Sequence, residues 1–123
     1  MEEKLKHWPM HLEMVPIKDE IYDGADILLA SDCATYGYGF KVNDFRQGRV
    51  PVIGCHKVDK ERYNEKFLEI LKQNDIKKVT IVRVDLFCCE RIEKAAREAI
   101  NASGKDIELE VYAVTMENKV EKK

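Results

Sequence analysis

The chain has 123 residues, which is the length of one domain with a single hydrophobic core. With 45% apolar and 36% charged residues, it fits neither a disordered chain nor a membrane-spanning one. The 21 basic and 23 acidic side chains leave a net charge of −2, whereas nucleic-acid binders usually carry a basic excess. We therefore expect one domain over residues 1–123 that binds neither nucleic acid nor a membrane.

The cysteine content bears on the compartment. Four cysteines are well below the density of a disulfide scaffold, and the opening MEEKLKHW has no signal-peptide pattern. These features predict a reducing, cytoplasmic location. There, grouped cysteines serve as metal ligands, redox thiols or core residues more often than they form disulfides.

The first predicted element is a strand near the amino terminus. Trp8, Met10, Leu12 and Met14 alternate with polar residues or proline, which is the period of a strand with one covered face. Pro9 has no N–H to donate, so the strand is expected at an edge of the sheet. We expect it to be an antiparallel edge strand.

Four buried strands and two amphipathic helices are expected next. The strands are apolar or rich in β-branched residues and cover residues 25–31, 50–54, 78–86 and 107–115. The helices are expected at 59–74, with Asp59 as the N-cap, and at about 89–103, with Gly104 directly after the end. A crossover over 34–48, with a short helix between its two phenylalanines, joins the first two buried strands.

The alternation of strands and helices predicts the fold class. Right-handed crossovers between successive strands give an α/β fold, a small, mostly parallel sheet with helices on its faces. Residues 117–123 are expected to form a frayed tail. Ligands of such sheets bind beyond the carboxyl ends of the strands, so functional residues are expected there.

All four cysteines follow predicted buried strands. Cys33 lies two residues after the first of these strands, Cys55 directly after the second, and Cys88 and Cys89 just after the third. If the three strands are parallel neighbours, about 4.8 Å apart, their loops can bring the thiols to one point. We therefore predict a shared metal, cluster or redox site. The alternative is that each cysteine is a small, structural core residue.

The chemistry of four grouped thiols is limited. Thiolates repel one another unless a cation balances them, and iron–sulfur clusters and zinc are the common partners. His56, beside Cys55, is a further candidate metal ligand, although it could equally be a solvated loop residue. A nucleophilic-cysteine enzyme is disfavoured, because the side chains of adjacent residues usually point apart. The sequence does not decide whether the protein is an enzyme.

The cysteine-containing segments resemble a known family. They read DGADILLASDCATYGYGF, GRVPVIGCHKVDK and NDIKKVTIVRVDLFCCE, and the opening HWPMHLEMVP and ASGKDIELE are also similar. The resemblance spans residues 7–115 and is to anaerobe iron–sulfur proteins named cluster-binding or ferredoxin-like oxidoreductases. It implies an iron–sulfur cluster, 4Fe–4S ahead of 2Fe–2S, with a role in electron transfer. The implied ligands are Cys33, Cys55, Cys88 and Cys89.

The chain departs from that family's pattern in three places, one of which is His56, in the position where the family has proline. The chain also lacks the amino-terminal dicluster ferredoxin segment, so a ferredoxin-type redox partner would be a separate protein. Two glycines of the family are replaced by Glu90 and Arg91, and Glu90 puts a negative charge beside the thiolates. Two alternatives stay open: a zinc or other metal-binding domain with a structural or regulatory role, and a cofactor-less relative that acts as an interaction module, for instance as a homo-oligomer.

Overall fold

The sheet has six strands in the described part of the chain. A computed structural model describes residues 10–12, 14–37, 45, 48–54, 56–85, 90–117 and 119–123. Its strands are β1 (Met10–His11), β2 (Ala25–Ser31), β3 (Val50–Gly54), β4 (Ile76–Val84), β5 (Glu108–Val114) and β6 (Val120–Lys122). Their order is β1-β3-β2-β4-β5-β6. The first five strands are parallel, and β6 runs antiparallel to β5.

The helices lie between successive parallel strands. They are α1 (Asp32–Gly37) after β2, α2 (His56–Gln73) after β3 and α3 (Glu90–Ser103) after β4, and a short 3-10 helix spans Glu20–Tyr22. The connections from β3 to β4 and from β4 to β5 run in the same direction across the sheet, so right-handed crossovers put α2 and α3 on one face. The two helices pack against each other there. The α/β fold with a mostly parallel sheet is confirmed.

The main hydrophobic core lies on the face that α2 and α3 cover. Aromatic and branched side chains of both helices meet the alternate side chains of the central strands and stay almost fully buried. Its largest members are Tyr22, Ile27, Leu29, Phe67, Ile70, Leu71, Ile81 and Ile92. A smaller cluster on the opposite face contains Leu28, Ala30, Ala34, Val82, Val84 and Val114, with Phe45 and Tyr112 against it. Both faces of β2 and β4 are therefore covered, as their apolar sequences predict.

Both edge predictions need correction. β1 pairs in parallel with β3, with Met10 opposite Val52, so the predicted antiparallel pairing at this edge is wrong. The antiparallel edge is β6, within the segment predicted to fray. There the N–H of Lys123 donates to the carbonyl of Val111 at 2.8 Å. The side chains of β6 are all exposed, and backbone hydrogen bonds hold the strand in the sheet. Its sequence therefore shows no alternation of apolar and polar residues that would predict a strand.

Several element boundaries also differ from the prediction. α2 begins at His56, three residues before Asp59, so Asp59 is not its N-cap. β4 runs from Ile76 to Val84, two residues earlier than predicted at both ends. Gly104 has φ +71° directly after α3, which confirms it as the residue that ends that helix. Most of the short helix predicted between the two phenylalanines of the crossover falls outside the described residues.

Asn74 ties the amino-terminal segment to the end of α2. Its side chain is buried, and its Nδ2 donates to the carbonyls of Ile17 at 2.6 Å and Ile70 at 2.8 Å. Its Oδ1 accepts from the N–H of Asp19 at 3.3 Å. One side chain thus satisfies backbone groups from two distant parts of the sequence.

Replacing Asn74 by alanine should lower the free energy of unfolding by about 2 kcal/mol, because it leaves buried backbone groups without partners. Equilibrium unfolding in urea measures the change. Asn101→Ala is the matched control, since Asn101 is exposed on α3 and its loss should change stability by less than about 0.5 kcal/mol. Equal stabilities of the two variants would contradict the role of Asn74.

A charged network crosses β4 and β5 on the face opposite α2 and α3. The carboxylate of Glu110 accepts from Lys78 Nζ at 2.5 Å and from the Tyr112 hydroxyl at 2.6 Å. These two hydrogen bonds, that from Lys78 first, lower the pKa of Glu110 to about 2. The same bond to Glu110 raises the pKa of Lys78. Cross-strand pairing thus satisfies these charged groups within the sheet.

The lowered pKa of Glu110 predicts a pH-dependent contribution to stability. The carboxylate stabilises the fold fully above its ordinary pKa of 4.5, and that stabilisation disappears as the pH falls towards about 2. Glu110→Gln should therefore be less stable than the native chain at pH 7, and the difference should shrink across this window. Thermal unfolding at a series of pH values measures it. The control is Glu108→Gln, whose carboxylate also contacts Lys78 but is 64% exposed; a gap as large as that of Glu110→Gln would argue against the network.

Candidate functional site at the carboxyl edge of the sheet

The three strands that precede the cysteines are adjacent and parallel. In the order β3-β2-β4, Ser31 of β2 lies opposite Gly54 of β3, and Ala30 of β2 lies opposite Val82 of β4. Cys33 and Cys55 therefore follow neighbouring strand ends, and the segment with Cys88 and Cys89 follows the third. The structure thus meets the condition on which the shared site depends, namely that these three strands are parallel neighbours.

The same edge contains the point at which the strand order reverses. The chain passes from β2 to β3 on one side and then crosses back over β2 to reach β4. In open α/β sheets, ligands bind at the crevice beyond the carboxyl ends where the connections diverge in this way. Here that crevice lies between the ends of β2 and β4. The strand order alone thus predicts a ligand site at the carboxyl ends of the strands, and these are the strand ends that the cysteines follow in the sequence.

Cys33 is an exposed residue in the first turn of α1. Ser31, the last residue of β2, caps this helix: its Oγ accepts from the N–H of Ala34 at 3.1 Å. The hydroxyl of Thr35 donates to the carbonyl of Ser31 at 2.9 Å. These bonds fix the turn that carries the thiol directly beyond the strand end.

The other predicted site residues are less fully defined. Cys55, Cys88 and Cys89 fall outside the described residues, and of His56 only its place as the first residue of α2 is described. Within the described ranges, no three His, Cys, Asp or Glu side chains are grouped to hold a metal ion. Three of the four cysteines lie outside those ranges. The shared cysteine site stays a prediction.

The electrostatics of the edge favour anionic groups. α1 and α2 begin one and two residues after β2 and β3 end, and α3 begins six residues after the end of β4, so the amino-terminal ends of all three helices lie on this side of the sheet. A helix amino terminus presents unpaired N–H groups and a partial positive charge. This polarity favours thiolates or another anion at the edge.

His11 and Asp32 meet at the same edge. Nε2 of His11, at the end of β1, lies 3.7 Å from Oδ2 of Asp32, the residue before Cys33. Oδ1 of Asp32 is buried and has no hydrogen-bond partner in the part of the chain that the structure describes. The predicted site does not include His11, because its position near the amino terminus gives no sign of this contact. The position of His11 in an edge strand parallel to β3 is what brings it there.

Arg83 is a buried charge that the sequence reasoning also missed. It is the penultimate residue of β4, and its side chain is only 4% exposed. Its guanidinium lies 3.6 Å from Oε1 of Glu93 in α3 and 4.0 Å from Oδ1 of Asp85. The available signal was a lone charge within the apolar run VTIVRV, since charged residues are rarely fully buried without a specific partner.

The comparisons with known proteins assign the family. The sequence model of a Rossmann-like domain matches residues 20–123, which is most of the chain. The protein belongs to this Rossmann-like domain family. A protein of Archaeoglobus fulgidus with the name "Uncharacterized protein" is 27% identical over 120 residues, covering 97% of this chain and 84% of the relative. No solved structure was found to match the chain.

This assignment corrects the resemblance drawn from the cysteine segments. The Rossmann-like match and the uncharacterized relative both point away from the iron–sulfur, ferredoxin-like oxidoreductase family, so that identification is wrong. The segments behind it lie around the ends of β2, β3 and β4, where any Rossmann-like sheet has its βα turns. Shared strands and turns of this kind give sequence similarity without shared chemistry.

None of the described helices combines the length and the apolar character that a membrane-spanning segment needs.

Ser31→Ala should remove the cap of α1 and lower the free energy of unfolding by about 1 kcal/mol. Guanidinium unfolding measures the loss. Thr35→Ser, which keeps the hydroxyl that bonds to Ser31, is the matched control and should unfold close to the native midpoint. A Ser31→Ala chain as stable as this control would contradict the capping role.

Proposed function

We propose that the protein binds an iron–sulfur cluster through Cys33, Cys55, Cys88 and Cys89 beyond the carboxyl ends of β2, β3 and β4. The observation that carries the proposal is the adjacency of these three parallel strands, each followed by one or two of the cysteines. The proposal rests on this placement and not on family membership, because Rossmann-like domains support many functions.

The donor set suits such a cluster. Four thiols are the usual complement of a 4Fe–4S or 2Fe–2S cluster, and we propose 4Fe–4S ahead of 2Fe–2S. When bound, the cluster would supply one-electron redox chemistry. The chain's own contribution would be thiolates from the segments that follow three strands and N–H groups of the helix amino termini.

The proposed site also suggests a setting. Free thiols persist in a reducing compartment, which supports a cytoplasmic location, and a one-electron centre needs a redox partner. We propose a separate ferredoxin-type protein as this partner. Tyr36 supports a docking surface beside the site, because its side chain is 96% exposed and lies three residues after Cys33 on α1.

Zinc is the second candidate. His11 and Asp32 meet beside Cys33, and His56 follows Cys55 directly, so nitrogen and oxygen donors accompany the thiols. Structural zinc sites use Cys and His in tetrahedral sets of four, which this edge could provide with fewer than four thiols. A zinc-loaded chain would have a structural or regulatory role without electron transfer.

The metal content of anaerobically purified protein tests the proposal. We expect iron and acid-labile sulfide in equal amounts, broad visible absorption and loss of most of the iron in Cys33→Ser and in Cys55→Ser. Ala102→Ser, at an exposed position of α3, is the control and should keep its iron.

Other outcomes are equally informative. A colourless protein with about one zinc per chain, reduced by the same cysteine substitutions, would replace the cluster with the zinc site. Four titratable thiols without metal would contradict both and favour an interaction module, for which the oligomeric state is the next measurement. Iron content that is unchanged by the cysteine substitutions would refute their role as ligands.

A further inference from the structure

No further inference is drawn: the strongest candidate, the exposed apolar side chains of Met14, Tyr36 and Met116 on the surface beyond the carboxyl ends of β1, β2 and β5, carries no proposal because nothing in the structure shows what covers them.

Discussion

The position of β2 between β3 and β4 is the constraint on which the rest of the arrangement depends. β2 is hydrogen-bonded in parallel on both sides and buried on both faces, so its register fixes where its two neighbours end. Because all three strands end at one edge, the helices that follow them begin there too, with their positive ends on the same side. The common end of these three strands thus accounts both for the crevice and for the partial positive charge that favours anions there.

The sequence predicts the strands that are apolar and buried. It misses the strand and the strand end that backbone hydrogen bonds and pairing with a neighbouring strand determine. β2 and β3 have the predicted bounds, because each is an apolar run with polar residues or glycine at its ends. β4 was predicted to start at Lys78, but it starts two residues earlier, at Ile76, which is buried and pairs with Ala25 of β2. Lys78 lies in the strand as predicted, and Glu108 and Glu110 on β5 pair with its ammonium group. β6 could not be predicted, because backbone hydrogen bonds place it and its side chains are all exposed.

The candidate site was predictable to a similar degree. A cysteine after each of three strands is visible in the sequence, but the order β3-β2-β4, which makes these strands neighbours, comes from the structure. The contacts of His11 with Asp32 and of Arg83 with Glu93 join residues that only the tertiary structure brings together. The resemblance failed for a related reason: the compared segments hold strands and turns common to Rossmann-like sheets, so their similarity reports the fold more than the chemistry.

The two ends of the sheet differ in how completely their polar groups are satisfied. Towards the amino ends of the strands, Asp26 accepts from Arg49 at 2.8 Å and from Thr80 at 2.9 Å, and Glu110 accepts from two donors. Towards the carboxyl edge, Asp32 Oδ1 and Arg83 Nε are buried without partners in the described residues; a third such atom, Asn64 Oδ1, lies in α2. Two of the three buried polar atoms without a partner among the described residues therefore lie towards the carboxyl edge, on the same side of the sheet as Cys33.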